Sequence, residues 1–207
     1  MLIVLAVLFS MGALAADGWP RHVVAAGYPT QTAVAADFTG DGRVDVIVNG
    51  RQQTLLYVAP EWKEIVLDRG PREAIHSAVF DVDSDGDPDY IGARYTPGLI
   101  FWLERPADPL REPWPYHLVD DQVNGIHGLA AGDIDGDGKP DLAATSAQPA
   151  GPFPNSLAWF KVPPRPRQAE RWLRYIFARQ DAPGLSHYLG LGDVNGDGRT
   201  DAASAAK

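Results

Sequence analysis

No cysteine occurs in the 207 residues. A disulfide framework cannot form, and thiol chemistry is excluded. Positive charge is scarce: 18 Lys and Arg stand against 27 Asp and Glu, a formal net charge of −9. Nucleic acid demands a basic footprint, so it is excluded as a partner class. After residues 2–15 no stretch sustains the 3.6-residue period of a helix. No Ser-His-Asp pattern or metallohydrolase signature is present, so no particular hydrolytic reaction is indicated.

Residues 2–15 are nearly all apolar, and Ala13-Leu14-Ala15 fits the small-x-small rule of signal peptidase. The run is short for a membrane span and is followed by Asp17, Gly18 and Pro20. It reads as a secretory signal over residues 1–16, with one domain over 17–207 and no membrane span after cleavage. That implies a secreted, periplasmic or cell-surface protein. No Lys or Arg precedes the run, which leaves an uncleaved anchor or a misplaced start as alternatives.

What the chain does have is Asp, at a fixed spacing. Asp133-Ile134-Asp135-Gly136-Asp137-Gly138-Lys139-Pro140-Asp141 places acids at positions 1, 3, 5 and 9 and a glycine at position 6. Alternate carboxylates converge on one hard cation only if the chain turns sharply, and Gly138 permits the turn. This is the logic of calcium loops, with a backbone carbonyl as the ligand from position 7. Position 12 is Ala144, not the glutamate of a helix–loop–helix site. The stretch recurs at residues 37–45, 81–89 and 193–201, with Thr39 and Asn195 at the third position of the first and last copies. The four loops hold fifteen Asp against three Lys or Arg, which accounts for the acidity of the chain. Solvated turns that bind nothing are the alternative to calcium sites.

A second mark repeats between the loops. Trp19, Trp62, Trp114 and Trp172 precede their loops by 18, 19, 19 and 21 residues, while the loops lie 44, 52 and 60 residues apart. Rigid repeated units joined by connections of variable length give this pattern. Each unit reads as four short strands. The first strands are expected over 32–36, 76–80, 128–131 and 188–191, the second over 45–48, 89–93, 141–145 and 201–204. Third strands are expected over 55–58, 99–103 and 157–162, and the Trp-led stretches are the fourth. The Trp rings are expected to fill space between sheets. Pro-rich segments at 106–115, 149–154 and 163–167 read as connections at strand ends. The fold class is therefore all-β, a β-propeller of four-stranded blades.

The four loops, each followed by an apolar strand, resemble the FG-GAP/VCBS repeat of integrin α-subunit propellers and of many secreted bacterial and fungal proteins. The resemblance covers nearly all of residues 19–207. It implies calcium as cofactor, bound between the first and second strands of each blade. The implied ligands are Asp37, Thr39, Asp41, the Arg43 carbonyl and Asp45 in the first loop. In the second they are Asp81, Asp83, Asp85, the Asp87 carbonyl and Asp89. The third offers Asp133, Asp135, Asp137, the Lys139 carbonyl and Asp141, and the fourth Asp193, Asn195, Asp197, the Arg199 carbonyl and Asp201. The Phe-Gly and Gly-Ala-Pro pieces of the integrin version are absent, so an integrin-like ligand role is not implied. Similar propellers are commonly seven-bladed. About three and a half blades are counted here, so the chain reads as part of a larger ring, with a small closed ring as the alternative.

His76, His127 and His187 precede their loops by 5, 6 and 6 residues, with Gln31 at the matching place in the first unit. In the family that place lies beside the central channel. The three are candidate metal ligands or acid/base groups, or else strand caps bonded to the next blade. His22 and His117 fall in outer strands and are read as structural. Two function classes follow. One is a non-catalytic module binding a glycan or an extracellular protein. The other is a carbohydrate-acting enzyme of polysaccharide lyase or sugar dehydratase type that uses the three histidines.

Overall fold

The computed structural model describes residues 21–27, 29–69, 74–179 and 185–206. The proposed signal segment lies outside the described residues. Among these residues, fourteen strands and one short 3-10 turn, Pro166–Gln168, make up the regular structure. The first blade is an antiparallel meander of β1 (Thr32–Ala36), β2 (Asp45–Gly50), β3 (Gln53–Val58) and β4 (Lys63–Arg69). The second joins β5 (His76–Phe80), β6 (Asp89–Arg94), β7 (Leu99–Leu103) and β8 (Tyr116–Asp120). The third joins β9 (Ile126–Gly132), β10 (Asp141–Ser146), β11 (Ser156–Lys161) and β12 (Leu173–Arg179). A fourth sheet pairs β13 (Leu185–Gly192) with β14 (Asp201–Ala206).

The first strands touch one another in series: β1 on β5, β5 on β9, β9 on β13. The sheets therefore stack face to face around their inner strands, as propeller blades do. The core is the space between blades. Phe38, Ile47 and Leu56 of the first blade bury against Tyr90, Phe101, Leu103 and Trp114 of the second. Ile91, Ile100 and Trp102 of the second bury against Leu142, Ala158, Phe160 and Trp172 of the third. Runs such as Leu99-Ile100-Phe101-Trp102-Leu103 are apolar on both faces because a blade between two neighbours buries both faces.

The repeated Trp performs the expected packing. Trp114 and Trp172 are buried immediately before the fourth strands, and the Trp114 ring meets Phe38 of the preceding blade edge-on at 6.0 Å. The third and fourth strands of every complete blade slip register at the same step: Thr54/Leu55, Ile100/Phe101 and Leu157/Ala158.

One expectation is corrected. Residues 21–24 form no strand. A fourth strand needs a third strand beside it, and the outer edge of β3 is already taken by β4. Val24 instead covers the outer face of the first blade, against Val48, Leu55 and Tyr57. Trp19 lies outside the described residues.

Candidate functional site

Each acidic loop is the turn from the first strand of a blade to the second. The first Asp folds the loop around itself. Asp133 accepts the N–H groups of Gly136, Asp137 and Gly138 at 2.8–3.1 Å. Asp37 does the same for Gly40, Asp41 and Gly42, as does Asp193 for Gly196, Asp197 and Gly198. Asp81 accepts from Asp85 and Gly86. The fifth residue, Asp41, Asp85, Asp137 or Asp197, accepts the N–H of the seventh. The sequence thus builds a cradle whose oxygens are held by backbone before any cation arrives.

The turn depends on positive φ. Gly138 sits at φ +84, with open space where a Cβ would stand. Gly138→Ala therefore tests conformation alone. The left-handed geometry should cost about 1–2 kcal/mol, visible as a melting temperature lowered by a few degrees with no change in far-UV spectrum.

The ninth residue has a second task that the sequence did not disclose. Asp45 accepts the N–H of Thr39 and, across the blade, that of Ala59. Asp89 accepts those of Val82 and Arg105 at 3.0 and 2.7 Å. Asp141 accepts that of Val162, and Asp201 that of Val194. The buried carboxylate staples the loop to the end of the third strand in each complete blade. Its one sequence signal is an acid that opens an otherwise apolar strand.

Two loops gather three acids tightly. Carboxylate oxygens of Asp81, Asp83 and Asp89 lie within 4.8 Å of one another, as do those of Asp133, Asp135 and Asp137. Burial pushes Asp89 up to about 7, and the Asp83 and Asp85 charges add to this, although the Arg105 and Val82 N–H groups oppose it. Burial, then the Asp85 charge, also raises Asp83. Desolvation raises Asp37 too, but the N–H groups of Gly42, Asp41 and Gly40 outweigh it and hold that carboxyl below its usual range. Carboxylates crowded in this way favour a cation in their midst.

Among the described residues four buried side-chain oxygens lack a hydrogen-bond partner: Thr39 Oγ1, Asp83 Oδ2 and Asp141 Oδ2 in the loops, and Tyr90 Oη in β6. Buried polar oxygens are ordinarily satisfied, so Thr39 Oγ1 and Asp141 Oδ2 in the loops point to a missing partner. Hard oxygen donors in this number fit calcium. The loops also carry their own cations. Arg167, in the 3-10 turn of the third blade, reaches the second loop. Its Nη2 lies 2.6 Å from Asp83 Oδ2, off the hydrogen-bonding direction, and donates to Asp85 at 2.9 Å, while Nε donates to Glu104. Arg105 pairs with Asp87 and donates to the Phe38 carbonyl of the first blade's loop. Lys161 bridges Asp135 and Asp137, and the bond from Lys161 holds Asp137 below the usual carboxylate range.

The histidines lie at the other end of the inner strands. His76 and His127 meet edge-to-face with ring centroids 5.8 Å apart, and Tyr95 meets His127 at 5.0 Å. All three are half-buried. The two histidines are not at equivalent positions, contrary to the sequence expectation. His76 pairs with Ala93, five residues before its loop, whereas the place five before the third loop belongs to Gly128. His127 is the extra residue of a bulge where the β9–β10 register slips between Thr145 and Ser146. A one-residue offset turns a side chain to the other face, so the two rings meet across the blade interface. The backbone of His187 lies in β13, but its side chain lies outside the described residues. Gln148 donates to Thr96 at 2.8 Å on the rim of this cluster, and the Tyr95 carbonyl accepts the Gly125 N–H. His117 is structural, stacked on Trp102 at 4.3 Å and bonded to Glu104 at 2.8 Å. His22 is exposed and lies outside any strand.

These features define a class: an all-β chain of stacked four-stranded blades with an acidic loop between the first two strands of each. Residues 81–144, from the second loop into β10, match the family described as FG-GAP-like repeat. No curated protein matches the chain. Among solved structures it is similar to an Agrocybe aegerita lectin described as recognising non-reducing terminal N-acetylglucosamine. The identity is 15% and the TM-score 0.48, over 72% of this chain and 38% of that one. The chain thus spans less than half the length of that lectin.

Proposed function

We propose that the chain is a secreted, calcium-stabilised propeller module that binds a glycan without transforming it. The calcium part rests on one observation: the buried loop oxygens Thr39 Oγ1 and Asp141 Oδ2, which accept no hydrogen bond. Calcium would take the side-chain oxygens at positions 1, 3 and 5 of each loop, and its charge would relieve the crowded carboxylates. At positions 9 the carboxylate keeps its backbone staple and has its remaining lone pairs to offer.

The glycan part is supported by the His76–His127–Tyr95 cluster. Half-buried rings with polar edges, rimmed by Thr96 and Gln148, suit the mixed apolar and hydroxyl faces of a sugar. His127→Ala should weaken glycan binding about tenfold or more in an array or calorimetric titration, because a central contact is lost. Calcium content should be unchanged. Unchanged binding to a glycan that the wild type captures would overturn this placement. Turnover of any polysaccharide, abolished by the same substitution, would replace the binding role with the enzymatic one.

A further inference from the structure

The four loops share one fold but not one surrounding. The N–H groups of Ala59, Arg105 and Val162 make the same bond to the ninth Asp of their own blades. The residue before each therefore occupies an equivalent place at the end of the third strand, beside the loop. That residue is Val58, Glu104 or Lys161. An apolar group, an acid and a base thus stand at one position of three successive blades.

In the third blade the ammonium group of Lys161 binds both Asp135 and Asp137, two of the three acids gathered there. It holds the place that a metal ion would take between them. It does not complete the site. Asp141 is 3% exposed, its charge lies close enough to be felt by Asp135, Asp137 and Lys161, and its Oδ2 has no partner. In the first, second and fourth loops that oxygen accepts an N–H from the second or third loop residue. An ammonium carries one charge and three donors in tetrahedral array. Calcium carries two charges and accepts six to eight oxygens.

From this arrangement we infer that Lys161 is a tethered competitor of calcium, which makes the third loop a low-affinity site that exchanges a side-chain cation for a divalent one. This rests on the calcium reading above. In the absence of metal the lysine screens the carboxylates and keeps the loop folded. Calcium binding must break two ion pairs and expel the ammonium group to water, so its net affinity is reduced by that cost. The second loop offers a contrast. Its equivalent residue is Glu104, and the cation near it, Arg167, comes from the neighbouring blade.

The test is a calcium titration by calorimetry, with bound ions counted by native mass spectrometry, on the whole chain. Wild type should bind the ion of the third loop more weakly than that of the first. Lys161→Met should tighten the third-loop ion about fivefold to tenfold, and adding Asp137→Ala should remove it. The converse variant, Val58→Lys, places the competitor at the first loop and should weaken one further ion by a similar factor. It keeps the inference testable if Lys161→Met folds poorly. Wild type and both lysine variants binding all ions with one unchanged affinity would overturn the inference alone. A wild type that binds no calcium would overturn the calcium reading, and the competitor with it.

Discussion

In millimolar chelator the protein is expected to melt far below its temperature in millimolar calcium. A ligand that binds only the folded state adds about 2.7 kcal/mol when present at a hundred times its dissociation constant. For a chain of this size, 1 kcal/mol moves the melting temperature by about 2–4 °C. The two loops that gather three acids each would together account for roughly 10–20 °C. The physical origin is repulsion. Without a divalent ion, Asp81, Asp83 and Asp89 are held together against their own charge, and burial keeps Asp83 and Asp89 from relaxing into water. Differential scanning calorimetry at matched ionic strength measures the shift. A transition indifferent to both chelator and calcium would show that the loops are turns and nothing more.

Asp89→Ala should destabilise the protein by about 2–5 kcal/mol even in chelator, whereas Asp85→Ala should matter only in calcium. Asp89 is 2% exposed and satisfies two backbone N–H groups, of Val82 and Arg105. Each buried donor left unpaired costs about 1–3 kcal/mol. Asp85 sits at the loop surface, and its backbone partner, Asp87 N–H, can turn to water. Urea denaturation of both variants, with and without calcium, separates the two roles. Equal losses for the two variants in chelator would mean that the staple carries no stability of its own.

The strands were legible because their punctuation is chemical. Asp and Gly clusters stop the chain after β1 and β5, and the limits read from the sequence, 32–36 and 76–80, are those of the structure. β7 was equally plain, as five apolar residues between a Pro-Gly turn and Glu104. The 21–24 stretch misled because its Trp-led pattern is local, while a strand needs a neighbour to pair with. The histidines misled for a related reason. Nothing in the residues around His127 announces the bulge that re-aims it, since the bulge is a property of the β9–β10 pairing. The staple at Asp45, Asp89 and Asp141 was hidden because its donors, Ala59, Arg105 and Val162, are 14, 16 and 21 residues away and offer only backbone, which no motif records. Lys161 was hidden likewise: it lies outside every loop and reaches one by the return of its strand.

The slip between third and fourth strands, at Thr54/Leu55, Ile100/Phe101 and Leu157/Ala158, bears on what the molecule does not do in a crowded solution. A straight outer strand offers an unbroken row of N–H and C=O groups on which a foreign strand can zip. Here that row is interrupted once per blade, the outer strand twists away from flatness at the interruption, and β4 adds Lys63, Glu64, Asp68 and Arg69 along its length. At the first blade a neighbouring molecule therefore meets a bent, charged outer strand, a poor template for a foreign one.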